Sequence, residues 1–179
     1  MTPYDPIHRR GGVSLLKNAG GALQSNGMTG FALLYFGATG HMREELEIKI
    51  ANKLSELARL NQTLAEFGQR HGLASKAMHD LNLALEEILI NIISHGYTDD
   101  REHEIKVRLS APPGEVRAEV EDDGQPFNPL AAPEPDTAQS LEKRTIGGLG
   151  IHLVRNLMDG LEYQRQDGKN LFRMQKNLD

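Results

Sequence analysis

The chain has no cysteine. That excludes disulfides, a thiol nucleophile and thiolate metal sites, and is compatible with a reducing cytosol. Long apolar runs are also missing. The longest early one, residues 31–36, is far below the roughly 18 residues of a membrane span. No basic start followed by an apolar run and a small-residue cleavage site reads as a signal peptide. Basic excess is absent too: the net charge is −5 and the pI about 5.8, which argues against non-specific nucleic-acid binding. What remains is 179 residues, 39% hydrophobic and 25% charged, enough for one domain, or one domain with an arm. Glycine is the residue in excess, 18 in all, so glycine loops are the feature to look for.

Composition divides the chain near residue 42. Residues 1–41 hold eight glycines and a single acid, Asp5, with no helical or strand period. They read as a glycine-rich N-terminal arm, flexible or upstream of the natural start, with Met28 or Met42 as alternative starts. The other reading is a packed or partner-exchanged arm, in which residues 31–36 cover a sheet edge or a second subunit. Residues 42–179 read as the folded domain.

There the periods are clear. Leu46, Ile48 and Ile50 alternate with Glu47 and Lys49, a half-buried strand. Leu57, Leu60, Leu64 and Phe67 form the stripe of an amphipathic helix, ended by His71-Gly72. A second helix is expected over residues 76–95, with Met78, Leu81, Leu85, Ile88, Leu89 and Ile92 toward the core and Gly96 as its stop. Ile105, Val107 and Leu109, then Pro112-Pro113-Gly114, then Val116, Ala118 and Val120 predict a hairpin. Residues 129–135 read as a mobile loop. A third helix is expected over residues 149–158, then strands around Leu161-Tyr163 and Phe172-Met174, joined by an Asp167-Gly168 turn. This order predicts an α+β fold, a two-layer sandwich with a largely antiparallel sheet and helices on one face.

Three constellations bear chemistry. On the second helix, Glu87, Asn91 and His95 are four residues apart, one polar strip spanning about 80° beside the apolar stripe. A carboxylate and an amide against an apolar wall suit a proton acceptor and an oxygen-seeking cation such as Mg²⁺. An ordinary solvated face, with His95 favoured at the helix C-terminus, explains them equally well. Second, Asp122-Asp123-Gly124 ends a strand. Such a carboxylate can accept a hydrogen bond from an exocyclic amine, and the glycine lets a ligand approach closely. A plain Asp-Gly turn is the simpler account of that piece alone. Third, Gly147-Gly148-Leu149-Gly150 opens a helix, where free N–H groups make a phosphate cradle. It is not a Walker motif, since no Gly-Lys-Ser/Thr follows.

Taken in order, Glu87-x-x-x-Asn91-x-x-x-His95-Gly96-Tyr97, Asp122-x-Gly124-x-Pro126-Phe127 and Gly147-Gly148-Leu149-Gly150-Ile151 resemble the three nucleotide boxes of the GHKL (Bergerat-fold, histidine-kinase-like) ATPases. The endings His95-Gly96-Tyr97 and Leu157-Met158-Asp159 are most similar to those of the bacterial anti-sigma-factor serine/threonine kinases. The resemblance covers about residues 46–174. It implies the GHKL sandwich, with a largely antiparallel mixed sheet, and ATP with Mg²⁺ as cofactors. It implies Glu87 as general base and Asn91 as Mg²⁺ ligand. Asp122 and Gly124 would hold the adenine end, with His95, Lys143, Arg144, Gly147, Gly148, Leu149 and Gly150 around the rest of the nucleotide. The pattern departs at Thr145-Ile146, where the family often has arginine, so a basic contact to the γ-phosphate falls to Lys143 or Arg144. Partners implied are a STAS-type anti-anti-sigma protein as substrate, a sigma factor, and a second copy in a homodimer, with no nucleic acid or membrane, in the cytoplasm. Two rival functions stand beside the kinase: a non-catalytic ATP-binding regulatory module, and a histidine-kinase-type catalytic domain acting in trans. His79-Asp80-Leu81, which looks like a phosphoacceptor box, lies only 12 residues before Asn91 on the same helix and reads as ordinary helix surface. His152, beside the glycines, reads likewise as helix surface.

Overall fold

The computed structural model describes residues 21–25, 28–36, 42–131 and 149–178. Seven strands form one sheet: β1 (Gly21–Ser25), β2 (Met28–Phe36), β3 (Met42–Ala51), β4 (Glu104–Ser110), β5 (Glu115–Asp122), β6 (Gly160–Gln166) and β7 (Lys169–Asn177). Their order is β1-β2-β3-β4-β5-β7-β6. Three helices, α1 (Glu56–Arg70), α2 (Ser75–His95) and α3 (Leu149–Leu157), complete the second layer. Every pairing among the described residues is antiparallel, so the sheet there is not mixed, as the sequence reading had it.

Directly paired residues point to the same face of a sheet, so the register sorts the side chains into rows. One inner row is Leu46, Leu109, Ala118, Met174 and Leu161; the next is Ile48, Val107, Val120, Phe172 and Tyr163. Helical stripes close over them: Leu60, Leu64 and Phe67 of α1, Leu81, Ala84, Leu85, Ile88 and Leu89 of α2, Ile151 and Val154 of α3, all buried. The alternation read from the sequence is therefore the alternation of core and solvent.

The outer face is charged. Glu47, Arg108, Glu119, Arg173 and Glu162 form a single row across five strands. Each arginine bridges two acids of the row: Arg108 reaches Glu47 at 2.9 Å and Glu119 at 2.6 Å, Arg173 reaches Glu119 at 2.6 Å and Glu162 at 3.3 Å. Beside the row, Glu121 is held by Lys169 at 2.6 Å and by Lys106 at 3.3 Å.

The N-terminal segment, read from sequence as a flexible arm or as a packed one with residues 31–36 covering a sheet edge, contributes two strands. Residues 28–36 lie along β3 and 21–25 along β2. An edge strand is recruited through backbone hydrogen bonds, which carry no side-chain period. Here Gly21 and Gly30 interrupt any alternation, and residues 31–36 are continuously apolar. Of the expected loop at 129–135, Pro129–Ala131 is a 3-10 turn with Pro129 buried, and 132–135 lie outside the described residues. The Asp167-Gly168 turn is as read, with φ of 50° and 79°, the left-handed values of a tight hairpin.

Candidate active site

The inner face does not stay apolar to its end. The third row, where β5, β7 and β6 finish or begin, is Asp122, Asn170 and Arg165. Asp122 is only 4% exposed and Asn170 only 6%. A buried carboxylate must be hydrogen-bonded to persist. Asp122 Oδ1 accepts from the Gly124 N–H and from Asn170 Nδ2, both at 2.8 Å. Burial pushes the Asp122 carboxyl above its ordinary range, against those two hydrogen bonds and the nearby Arg165 charge. Among the described residues no hydrogen bond falls on Oδ2.

A cavity of about 320 Å³ opens at this point. Ile88 and Ile92 of α2, Phe127, Tyr163 and Phe172 give it apolar walls; Asn91, His95, Gly96, Asp122 and Asn170 give it polar ones. A cavity of that size, with apolar side chains and a buried carboxylate in its lining, has room for a heteroaromatic ring with an amine at its edge. Gly124 packs tightly behind Asp122: a Cβ there would lie 2.6 Å from the Gly96 carbonyl oxygen and 2.8 Å from Asp122 Oδ1. The larger cavity, about 470 Å³, opens among Arg108, Glu119, Glu162 and Arg173, whose charges already satisfy one another.

The α2 strip enters the cavity in part. Asn91 donates its amide nitrogen to the Glu87 carbonyl at 2.8 Å, which leaves Oδ1 as the atom available to a cation. His95 is exposed at the helix end and lines the cavity. Glu87 is not on the cavity wall. Its carboxylate lies under the first turn of α3, close enough that a Cβ on Gly150 would collide with it. Glycine at 150 is thus what lets the α3 N-terminus approach the acid. Leu149 is 64% exposed beside it. Lys143, Arg144, Gly147 and Gly148 lie outside the described residues. His79 is exposed on α2, and His152 is half-buried on α3.

The loop after α2 braces the cavity floor. Gln125 N–H donates to the Gly96 carbonyl at 2.7 Å. Tyr97 stacks on His103 with ring centres 4.2 Å apart, and its buried hydroxyl has no hydrogen-bond partner among the described residues. His103 joins Asp99 at 2.9 Å and Asp123 at 3.1 Å. The Asp99 bond, then the Asp123 one, raise the imidazole above its usual value despite desolvation. Sequence reasoning missed this brace, and it missed Asn170, Arg165 and Tyr163. One signal was legible: Asn170 stands at an inward position of β7, in phase with Phe172 and Met174.

The family model of the histidine kinase-like ATPase domain matches residues 50–176 of this chain. The chain belongs to that family. Within it, the relatives that the chain is similar to include serine-protein kinases. It is 34% identical over 107 residues to the serine/threonine-protein kinase BtrW of Bordetella bronchiseptica, covering 60% of this chain and 75% of that one. It is 29% identical over 129 residues to the serine-protein kinase RsbW of Bacillus mycoides, covering 70% and 80%. Among solved structures, the RsbU and RsbW domains of Rv1364c from Mycobacterium tuberculosis superpose with a TM-score of 0.53 at 19% identity. That match covers 75% of this chain and 32% of the longer Rv1364c chain, and supports the histidine kinase-like ATPase fold. No described helix is long and apolar enough to cross a membrane.

Proposed function

We propose that this chain is a Mg²⁺- and ATP-dependent serine/threonine kinase acting on a STAS-type anti-anti-sigma protein, and that it sequesters a sigma factor as a cytoplasmic homodimer. The observation that carries the nucleotide part is Asp122: buried, gripped on one oxygen, with the other unengaged at the end of an apolar slot. An adenine amine supplies the donor that such an atom needs. The kinship with RsbW and BtrW supports the protein substrate.

The residues fit the cofactors. Asn91 Oδ1 is an oxygen donor of the kind Mg²⁺ takes, and the ion when bound neutralises phosphate charge. Leu149 and Gly150 open α3, whose N–H groups face an anion favourably, and Gly147 and Gly148 precede them in the sequence. Lys143 and Arg144 precede it as candidate γ-phosphate contacts. Glu87, one turn before Asn91, is the general base. The serine Oγ forms its bond to the γ-phosphorus, the bond to the β–γ bridging oxygen breaks, and the serine proton passes to the Glu87 carboxylate. One observation favours the rival, a module that binds without transferring: Glu87 is packed under α3 rather than set on the cavity wall.

The test incubates the purified protein with Mg-ATP and a STAS-type protein encoded beside it, and maps phosphosites by mass spectrometry. A phosphoserine on the partner is expected. Glu87→Ala should slow its formation by about 10²- to 10⁴-fold, the usual contribution of a positioned base, while ATP affinity moves under about tenfold. Tight partner binding with no phosphosite from the wild type would leave the sequestering module as the better reading.

A further inference from the structure

Asp122 is held with more precision than an isolated carboxylate needs. Asn170 donates to its Oδ1 at 2.8 Å and to the Gln125 carbonyl at 3.0 Å. The oxygen of the same amide accepts from Tyr163 Oη at 2.9 Å and from Arg165 Nη1 at 2.7 Å. Two donors on one side and two acceptors on the other allow a single orientation. Turning the amide over would set donor against donor and acceptor against acceptor. Arg165 Nη1 has a second bond, 2.8 Å to the Gly124 carbonyl. The Gly124 N–H is the other group that grips Asp122 Oδ1. One guanidinium therefore fixes both donors on that oxygen.

Fixing Oδ1 fixes the character of Oδ2. With the carboxylate ionised and unable to rotate, the cavity ends on an atom that accepts and does not donate. A purine with an amine at that edge is favoured, and one with a carbonyl there meets a bare repulsion. If Asn170 were free to turn or Asp122 to swing, Asp122 could take up a proton or a water and the distinction would blur.

We propose that Arg165, acting through Asn170 and the Gly124 turn, is a positioning residue that sets the choice of an amino-purine over an oxo-purine nucleotide. This rests on the adenine-nucleotide reading of the cavity. The charged and titratable groups around Asp122 are Arg165 of β6, Asp123 beside it on the chain, Tyr97 of the loop after α2, and His95 on the α2 wall.

The test measures ATP and GTP binding by calorimetry, with Mg²⁺, on the wild type, Arg165→Met, Arg165→Lys and Asn170→Asp. The wild type is expected to prefer ATP. Arg165→Met should cut the ATP-to-GTP ratio by roughly tenfold, the worth of one hydrogen bond, and Arg165→Lys should restore most of it. Asn170→Asp places a second carboxylate on Asp122, so the two share a proton at low pH and repel once both ionise. Its ATP affinity should fall as pH rises over a range where the wild type is flat. Carboxyl titration by NMR on the nucleotide-free Arg165→Met protein should show Asp122 releasing its proton at higher pH than in the wild type. An unchanged ATP-to-GTP ratio in Arg165→Met, or equal losses for both nucleotides, would overturn the positioning role. So would a wild-type pH profile in Asn170→Asp. A wild type that binds ATP and GTP alike would instead sink the adenine reading. The Asp122 titration then still decides whether Arg165 governs that carboxylate.

Discussion

Glu121 and Asp122 are neighbours on β5 that point to opposite faces of the sheet, and their surroundings differ in kind. Glu121 faces Lys169, Lys106 and Arg108. Burial pulls its carboxyl upward, but the two lysines outweigh it and hold it down to about 2. Asp122 faces an amide and a backbone N–H, and burial prevails, so its carboxyl is raised. An acid neutralised by several cations has its bonding capacity used up by the protein and serves the fold. An acid held by neutral donors keeps its charge and one oxygen for something else. The same contrast separates the two cavities, since the larger one is walled by charges that already answer each other.

The comparison can be broken most forcefully one pair further along the sheet. Phe172 is buried inside and Arg173 lies outside. Phe172→Ala should cost about 3–5 kcal/mol, the loss of a core aromatic. Arg173→Ala should cost under about 1 kcal/mol, because exposed and half-exposed ion pairs contribute little. Urea denaturation of both variants checks this. Equal losses would mean that the outer ladder, and not the core, carries the sheet.

A finer cut exchanges the two acids for their amides. Asp122→Asn should lower ATP affinity by roughly 10- to 100-fold, the worth of a hydrogen bond to a charged group, and leave thermal stability unchanged or higher, since it removes a buried charge. Glu121→Gln should do the reverse: ATP affinity unchanged, stability lower by about 1–2 kcal/mol after allowance for solvent screening. Because the folded pKa of Glu121 lies below its ordinary 4.5, its contribution is complete above about pH 4.5 and disappears as pH falls toward 2. Melting curves and calorimetry on the two proteins read both effects. If each variant lost both properties, the division of labour between the faces would be wrong.

The smallest effect concerns the brace beside the site. His103 gains a proton more readily in the fold than free, through Asp99 and Asp123, with Arg101 and Tyr97 also against the cluster. A raised folded value means its contribution is complete below about 6.5 and is lost as pH rises through that higher value. The stability gap between wild type and His103→Ala, followed by circular dichroism melts, should therefore narrow from pH 6 to pH 9. A gap that widened would show that the neutral ring is the form the fold prefers.

Much of this was legible in the residues. Period-two alternation at 46–50, 105–109, 116–120 and 172–174 marked the four central strands, because burial on one face leaves that imprint. Of the local motifs, Asp122, Asn91 and His95 meet at the cavity, whereas Glu87 of the same helical spacing lies under α3 instead. Arg165 and Asn170 were not legible as parts of the site. Asn170 meets Asp122 across 48 residues of chain, and only the register of β5 against β7 brings them opposite. The strands at 21–25 and 28–36 left no alternation to read, since Gly21 and Gly30 interrupt it and residues 31–36 are continuously apolar, a run that offered a sheet edge as only one of two readings.

The seventh strand lies inside the sixth. β7 is threaded between β5 and β6, although it is made after both. A growing polypeptide that has already emitted Glu87, Asn91, Asp122 and Gly150 possesses every recognisable motif and still lacks the floor of the cavity, because Phe172 and Asn170 do not yet exist. Core and cavity are therefore both completed by β7, which supplies Phe172 and Met174 to the one and Asn170 and Phe172 to the other. On the proposed reading, a nucleotide held in this cavity therefore reports that the last-made of the described strands has taken its interior place.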